Sequence, residues 1–243
     1  MIDEWGKGAK YWDKAWNPII GCRKVSEGCQ NCYAVRMAEQ YPELRAKDGS
    51  FQPHAPKQAK KPPKSGVVFA GNMTDLFGDW NDGDAIFNWL SSLSPDATNL
   101  VLTKRAGRLR DLPDNLLALD HVFYGITAEN QDRLMVRVPQ LFKSGAKHKW
   151  VSLEPLLSSI KIEPYLLWSN REKLDWVVVG AESGPNRRPC KLKWVRQIVD
   201  DCLKWGCPVF VKQLDIDGQL VKDINQFPED LRIRQVPWKR GEE

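Results

Sequence analysis

From residue 67 onward the chain repeats one pattern, a short apolar run followed by an amphipathic stretch. The runs are Val67-Val68-Phe69-Ala70-Gly71, Asn99–Thr103, His121–Thr127, Lys149–Leu153, Leu174–Gly180 and Pro208–Lys212. Between them the spacing predicts helices over Asp84–Leu93, 106–118, 130–143 and 192–205, and a short helix or loop near 163–169. Strands apolar along their whole length are buried on both faces, and their alternation with helices indicates a parallel sheet covered by helices. Ile19-Ile20, just after Pro18, reads as one more strand, giving six to seven in all. No Gly-rich dinucleotide turn follows any strand, which favours an α/β partial barrel over an open doubly wound sheet. The expected organisation is a barrel over 1–213, with a polar tail over 214–243 that packs on it or is partly disordered.

Upstream of this pattern, three of the six cysteines fall within eleven residues, Cys22, Cys29 and Cys32, spaced C-x6-C-x2-C. Thiolates so close on a loop can share one centre, either a zinc ion or an iron–sulfur cluster with an open iron. The start Met1-Ile2-Asp3-Glu4-Trp5 has neither the charge nor the apolar run of a signal peptide, and no run is long enough to span a bilayer. A cytoplasmic protein without membrane attachment is therefore expected, with cysteines as metal ligands rather than disulfides. Cys190, Cys202 and Cys207 are scattered and read as buried free thiols. Of three histidines, His121 and His148 flank the starts of strands, so only His54 could complete a zinc site. None of the three sits in the H-x-E pattern of zinc deaminases. After Cys32, a helix is expected over Tyr33–Tyr41. The loop over 47–66 carries Pro53, Pro56, Pro62 and Pro63 with Lys47, His54, Lys57, Lys60, Lys61 and Lys64, and Arg45 lies beside it. With a net charge of +5, this loop is either a solvated face or a phosphate contact. Most of the 11 tryptophans are expected to be packing residues.

Function in parallel barrels collects at the C-terminal strand ends. Here those ends deliver Asn72, Thr74 and Asp75; Thr103, Lys104 and Arg105; Thr127, Glu129 and Asn130; Ser152 and Glu154; Gly180 and Glu182; and Lys212 and Gln213. The cysteine loop follows the first strand and belongs to the same rim. Each residue alone could be a helix cap or a surface charge. Six ends in succession, with the cysteines beside them, point to a site.

These residues carry a resemblance. The stretch Trp16-Asn17-Pro18-Ile19-Ile20-Gly21-Cys22 through Cys29-Gln30-Asn31-Cys32-Tyr33-Ala34 resembles the phage-associated three-Cys-motif proteins, a family of radical-SAM type related to spore photoproduct lyase. Asn72–Phe77, Leu102–Arg105, Gly125–Gln131, Val151–Leu157, Val179–Pro185 and Phe210–Gln213 add to the match, which spans residues 12–214. The resemblance implies a [4Fe-4S] cluster on Cys22, Cys29 and Cys32, with S-adenosyl-L-methionine chelating the fourth iron. A 5′-deoxyadenosyl radical would form at the expense of an external electron donor. It also implies an isomerase- or lyase-type change to a nucleobase substituent in phage DNA, within a host cytoplasm. By position, Asn72, Thr74 and Asp75 would lie near the methionyl amino group, Glu129 near the ribose, and Gly180 to Glu182 near the adenine. Thr103, Lys104, Glu154, Lys212 and Gln213 would supply other cofactor or substrate contacts. The common superfamily spacing is C-x3-C-x2-C; here Ser26 stands where its middle cysteine would fall. Two alternatives stay open: a zinc or iron–sulfur module that binds nucleic acid or a partner without catalysis, and a barrel enzyme for a small phosphorylated metabolite using Lys104, Glu129 and Glu154.

Overall fold

A computed structural model describes residues 9–167 and 173–238. The stretch Met1–Trp5 and the last positions of the helix or loop expected near 163–169 lie outside them. One eight-stranded sheet runs in sequence order: β1 (Lys14–Trp16), β2 (Gly66–Ala70), β3 (Ala97–Thr103), β4 (Val122–Thr127), β5 (His148–Leu153), β6 (Trp176–Gly180), β7 (Val209–Ile216) and β8 (Gln219–Val221). Strands β1 to β7 are parallel, and β8 returns antiparallel to β7. The sheet curls into a half-barrel. Its helices are α1 (Tyr33–Gln40), α2 (Gly83–Ser91), α3 (Asp114–Leu117), α4 (Gln131–Lys143), α5 (Glu163–Leu166) and α6 (Leu192–Lys204). No described helix is long and apolar enough to cross a membrane.

Two cores follow from the alternation of side chains along each strand. Val68, Val101, Tyr124, Ile126, Val151, Val177 and Val209 face outward and pack with Ile86 and Leu90 of α2, Leu134 and Val138 of α4, and Val195 and Ile198 of α6. Val67, Phe69, Leu100, Phe123, Trp150, Trp176, Val178 and Phe210 face inward and, with Tyr11, fill the concave side. Tyr11 stands edge-on to Trp176, Phe210 and Trp150, with centroids 5.1, 5.6 and 5.9 Å away. Such edge-to-face pairs match the positive ring edge to the negative ring face. Gly125 is needed here, because a Cβ on it would sit 2.3 Å from the Trp150 indole. The buried indole N–H groups of Trp150 and Trp176 donate to Phe123 O at 3.1 Å and Gln235 O at 2.8 Å. The concave side is therefore packed low down, toward the N-terminal strand ends.

The fold departs from the expected elements in two places. The first strand is Lys14–Trp16, not Ile19-Ile20; Ile20 instead bridges His54 in the Pro-rich loop. The helix expected over 106–118 is a 3-10 helix, Ala106–Asp111, followed by the short α3, since Pro113 interrupts the backbone hydrogen bonding. Over 214–238 the tail packs on the barrel, one of the two expected outcomes. Asp217 and Gly218, both at positive φ, turn β7 into β8, and Phe227 and Leu231 are buried beneath α6. Trp238 closes over Phe123 and Trp176, at 5.3 and 4.9 Å.

Candidate functional site at the C-terminal rim

The cysteine loop lies across the C-terminal strand ends, as the order of elements requires. It leaves β1 through Gly21, whose N–H donates to Met73 O at 3.1 Å and whose carbonyl accepts from Thr74 Oγ1 at 2.7 Å. Cys22 N donates to Phe51 O at 3.1 Å, so the Pro-rich loop lines its outer side. A 3-10 turn, Glu27–Cys29, then carries the chain on, with Cys29 N donating to Ser26 O at 3.0 Å. Cys32 is the N-cap residue of α1. The three thiols thus sit at the loop's entry, its turn and its exit. All are free and half-buried, whereas Cys190, Cys202 and Cys207 are free and buried, as the sequence suggested. Burial pushes the Cys22 thiol up to about 12; Asp75 adds to this, Arg105 opposes it, and Cys32 and Cys29 raise it further. Among the described residues, however, no three His, Cys, Asp or Glu side chains converge as ligands of one ion. His148 stacks on Phe123 at the strand starts, 4.5 Å between centroids, and the His54 ring is 2.9 Å from Gln52 O.

Every rim residue singled out in the sequence lies at this end, and most already have partners. Asn72 Oδ1 accepts from Asn17 Nδ2 at 2.6 Å, and its carbonyl accepts from the Tyr33 hydroxyl. Asp75 is buried and accepts from Thr103 Oγ1 at 2.7 Å, Phe77 N at 3.0 Å, Lys104 N at 3.2 Å and Arg105 Nη1 at 3.1 Å. Arg105 also covers the Trp80 ring at 4.6 Å and reaches Arg23 O at 3.3 Å. Glu129 is 0% exposed. Its Oε2 accepts from Arg137 Nη1 at 2.8 Å, and its Oε1 lies 3.4 Å from Gly28 N in the cysteine loop. Glu182 accepts from Arg188 N and Nε at 2.9 Å each and from Asn31 Nδ2 at 3.0 Å. Burial would raise the Glu182 carboxyl, but these Arg188 and Asn31 hydrogen bonds outweigh it and hold the group below the ordinary range. From the loop itself, Glu27 bonds Arg133 Nη2 at 3.0 Å and also accepts from Asn130 Nδ2.

A second group faces the concave side instead. Lys212 Nζ donates to both Glu154 oxygens, at 2.7 and 2.9 Å, and stands over Tyr11 and Trp12 at 5.6 and 5.5 Å. Gln213 Nε2 bonds Ala181 O at 2.6 Å and approaches Glu154 Oε1 at 3.4 Å. Gly180 lies beneath them; a Cβ there would be 3.5 Å from Lys212 Cβ. Tyr11 is buried, and burial first, then the charge of Glu154, raises its hydroxyl pKa. Thr127 and Ser152 are buried on the same face, while Ala15, on edge strand β1, is exposed and leaves this side open. Lys104 is half-buried, and its ammonium has no partner among the described residues.

Sequence reasoning passed over the partners: Asn17, Glu27, Gly28, Asn31, Tyr33, Arg133, Arg137 and Arg188. Arg133 and Arg137 had a signal, since an arginine repeated four residues apart on α4 directs both side chains to one face above Glu129. The family described as a protein of unknown function, DUF5131, matches residues 7–226. The chain belongs to this family. No curated protein and no solved structure matches it. The match covers all three cysteines and every rim residue named above, so loop and half-barrel fall within one family unit.

Proposed function

We propose that this member of the DUF5131 family is a radical S-adenosyl-L-methionine enzyme that alters a nucleobase substituent in DNA. One observation carries the reading: three free cysteines on a single loop, held at the C-terminal rim of a parallel half-barrel beside an open concave face. The donor set fits a [4Fe-4S] cluster on Cys22, Cys29 and Cys32. Three free thiols on one loop, with no fourth Cys or His in the motif, support a cluster with one open iron over a closed tetrahedral zinc site. A cation beside these sulfurs would reverse the upward push on Cys22. When bound, the cluster and S-adenosyl-L-methionine would supply one-electron cleavage of the C5′–S bond, giving methionine and a 5′-deoxyadenosyl radical with the electron from an external donor.

The chain's own residues supply position and dryness. The aromatic floor under Lys212 and Glu154 excludes water from the base of the concave face. The Glu154–Lys212 pair and Lys104 are the polar groups left for substrate. Lys47, Lys57, Lys60, Lys61 and Lys64 are exposed on the loop that lines Cys22, where a polyanion would meet them. Next to that loop, Tyr33, Met37 and Tyr41 form an exposed stripe on and just after α1, at 39%, 36% and 47%, on which bases can stack. Anaerobic reconstitution with iron, sulfide, reductant and S-adenosyl-L-methionine is expected to release 5′-deoxyadenosine, faster when DNA is added. A fully loaded protein that releases none contradicts the enzyme. One that releases it without response to DNA contradicts the substrate.

A further inference from the structure

We propose that three acid–arginine pairs, Glu27 with Arg133, Glu129 with Arg137 and Glu182 with Arg188, are positioning residues that clamp the cysteine loop onto the ends of β4 and β6. The proposal rests on the reading of that loop as a cluster's cradle, and it reassigns Glu129 and Glu182 from cofactor contacts to loop anchors.

The geometry is two-sided at each buried carboxylate. Glu129 turns Oε2 to Arg137 and Oε1 to the backbone of Gly28. Glu182 takes Arg188 through its side chain and backbone, and takes the Asn31 amide from the loop. Arg188 itself reaches on to Gln30 Oε1 at 3.3 Å. Glu27 works in the opposite sense: the acid is in the loop, and its partners Asn130 and Arg133 open α4. A carboxylate offers about four acceptor sites. Glu182 meets four donors from Arg188 and Asn31, three on Oε2 and one on Oε1.

The anchors also account for the cysteine spacing. The gap between Cys22 and Cys29 contains Glu27 and Gly28, and the gap between Cys29 and Cys32 contains Asn31. Each gap therefore carries its own attachment to the barrel. The fit at Gly28 is close, because a Cβ there would lie 2.9 Å from the Glu129 carboxyl carbon. Glu129 cannot yield, since Arg137 holds it in a buried pair. The six-residue gap is thus a docking segment rather than slack.

Two mild variants test this, Gly28→Ala and Asn31→Ala; neither removes a buried charge. In metal-free protein, the labelling rates of individual cysteines with N-ethylmaleimide are read by peptide mass spectrometry. Both variants are expected to expose Cys29 and Cys32 to labelling several-fold faster than wild type, while Cys190, Cys202 and Cys207 stay protected. In reconstituted protein, the same variants are expected to shift the cluster's midpoint potential and broaden its electron paramagnetic resonance signal. Wild-type labelling rates in the folded variants would overturn the clamp, and Asn31→Ala decides alone should Gly28→Ala fail to fold. If wild-type protein takes up no iron and sulfide, the cluster reading fails, yet the labelling comparison still decides the clamp.

Discussion

The floor of the half-barrel and its rim are built from opposite materials. The floor is aromatic: Tyr11, Phe69, Phe123, Trp150, Trp176 and Phe210 form one buried cluster, in which Tyr11 stands edge-on to Trp150, Trp176 and Phe210, and the Trp150 and Trp176 N–H groups bond to backbone. The rim is charged: Asp75, Glu129, Glu154 and Glu182 are each held by an arginine or a lysine. Apolar packing tolerates small shifts and draws its energy from area removed from water. A buried ion pair contributes little net stability against apolar packing of the same shape, but breaking it leaves an unpaired charge. The floor therefore supplies stability, and the rim supplies geometry. Substitutions in the two regions should differ in kind as well as in size.

The largest effects are expected where either region is cut at its centre. Trp176→Ala should cost about 3–5 kcal/mol in denaturant unfolding, while folded protein below its midpoint keeps wild-type iron content. Glu129→Ala should cost a similar ~3–5 kcal/mol because Arg137 is left buried and unpaired, and it should lower iron content as well. Equal losses of iron in both variants would erase the distinction between floor and rim.

An intermediate effect is expected from Lys212→Met. The pair with Glu154 is only partly buried, with 18% and 15% of the two side chains exposed. Unfolding should change by about 1 kcal/mol, whereas DNA-stimulated release of 5′-deoxyadenosine should fall far more. A large stability loss with normal activity would return this pair to the structural class.

Acid should loosen the rim before the floor. Glu182 is held below its ordinary value of 4.5, so its contribution is complete above that pH. It is lost as the pH falls through the lower value of the folded state. Tryptophan fluorescence of the floor should then persist to lower pH than protection of Cys29 and Cys32 from alkylation. Coincident transitions would contradict separate behaviour. The smallest effect is expected at the outer edge: Lys60→Ala with Lys61→Ala should leave stability unchanged. It should flatten the salt dependence of DNA binding by about 0.9 for each phosphate that the lysines no longer neutralise.

Floor and rim also differed in how far the sequence revealed them. Strands β2 to β7 are continuous apolar runs, and nothing else in the chain competes with that signal. The edge strand β1 gave no such run, because Lys14 and Ala15 are exposed and only Trp16 is buried. Asp217-Gly218 was a hairpin signal inside a stretch read only as a polar tail, packed on the barrel or partly disordered. At the rim, position along the strands located the acids, but not what they hold. The pairing of Glu129 with Arg137 depends on how α4 leans back over the end of β4. That of Glu182 with Asn31 joins segments 151 residues apart. The first leaves only the arginine repeat on α4 and the second no local pattern, and for that reason the loop-anchoring role proposed for Glu129 and Glu182 was not visible in the sequence.

The central claim is that the loop carrying Cys22, Cys29 and Cys32 holds an iron–sulfur cluster. The most direct test is to purify the full chain anaerobically and to quantify iron, acid-labile sulfide and zinc together, with Cys29→Ala alongside. About four irons and four sulfides per chain, little zinc, and loss of both iron and sulfide in the variant are expected. One zinc per chain without sulfide would contradict the account and leave a zinc module in its place.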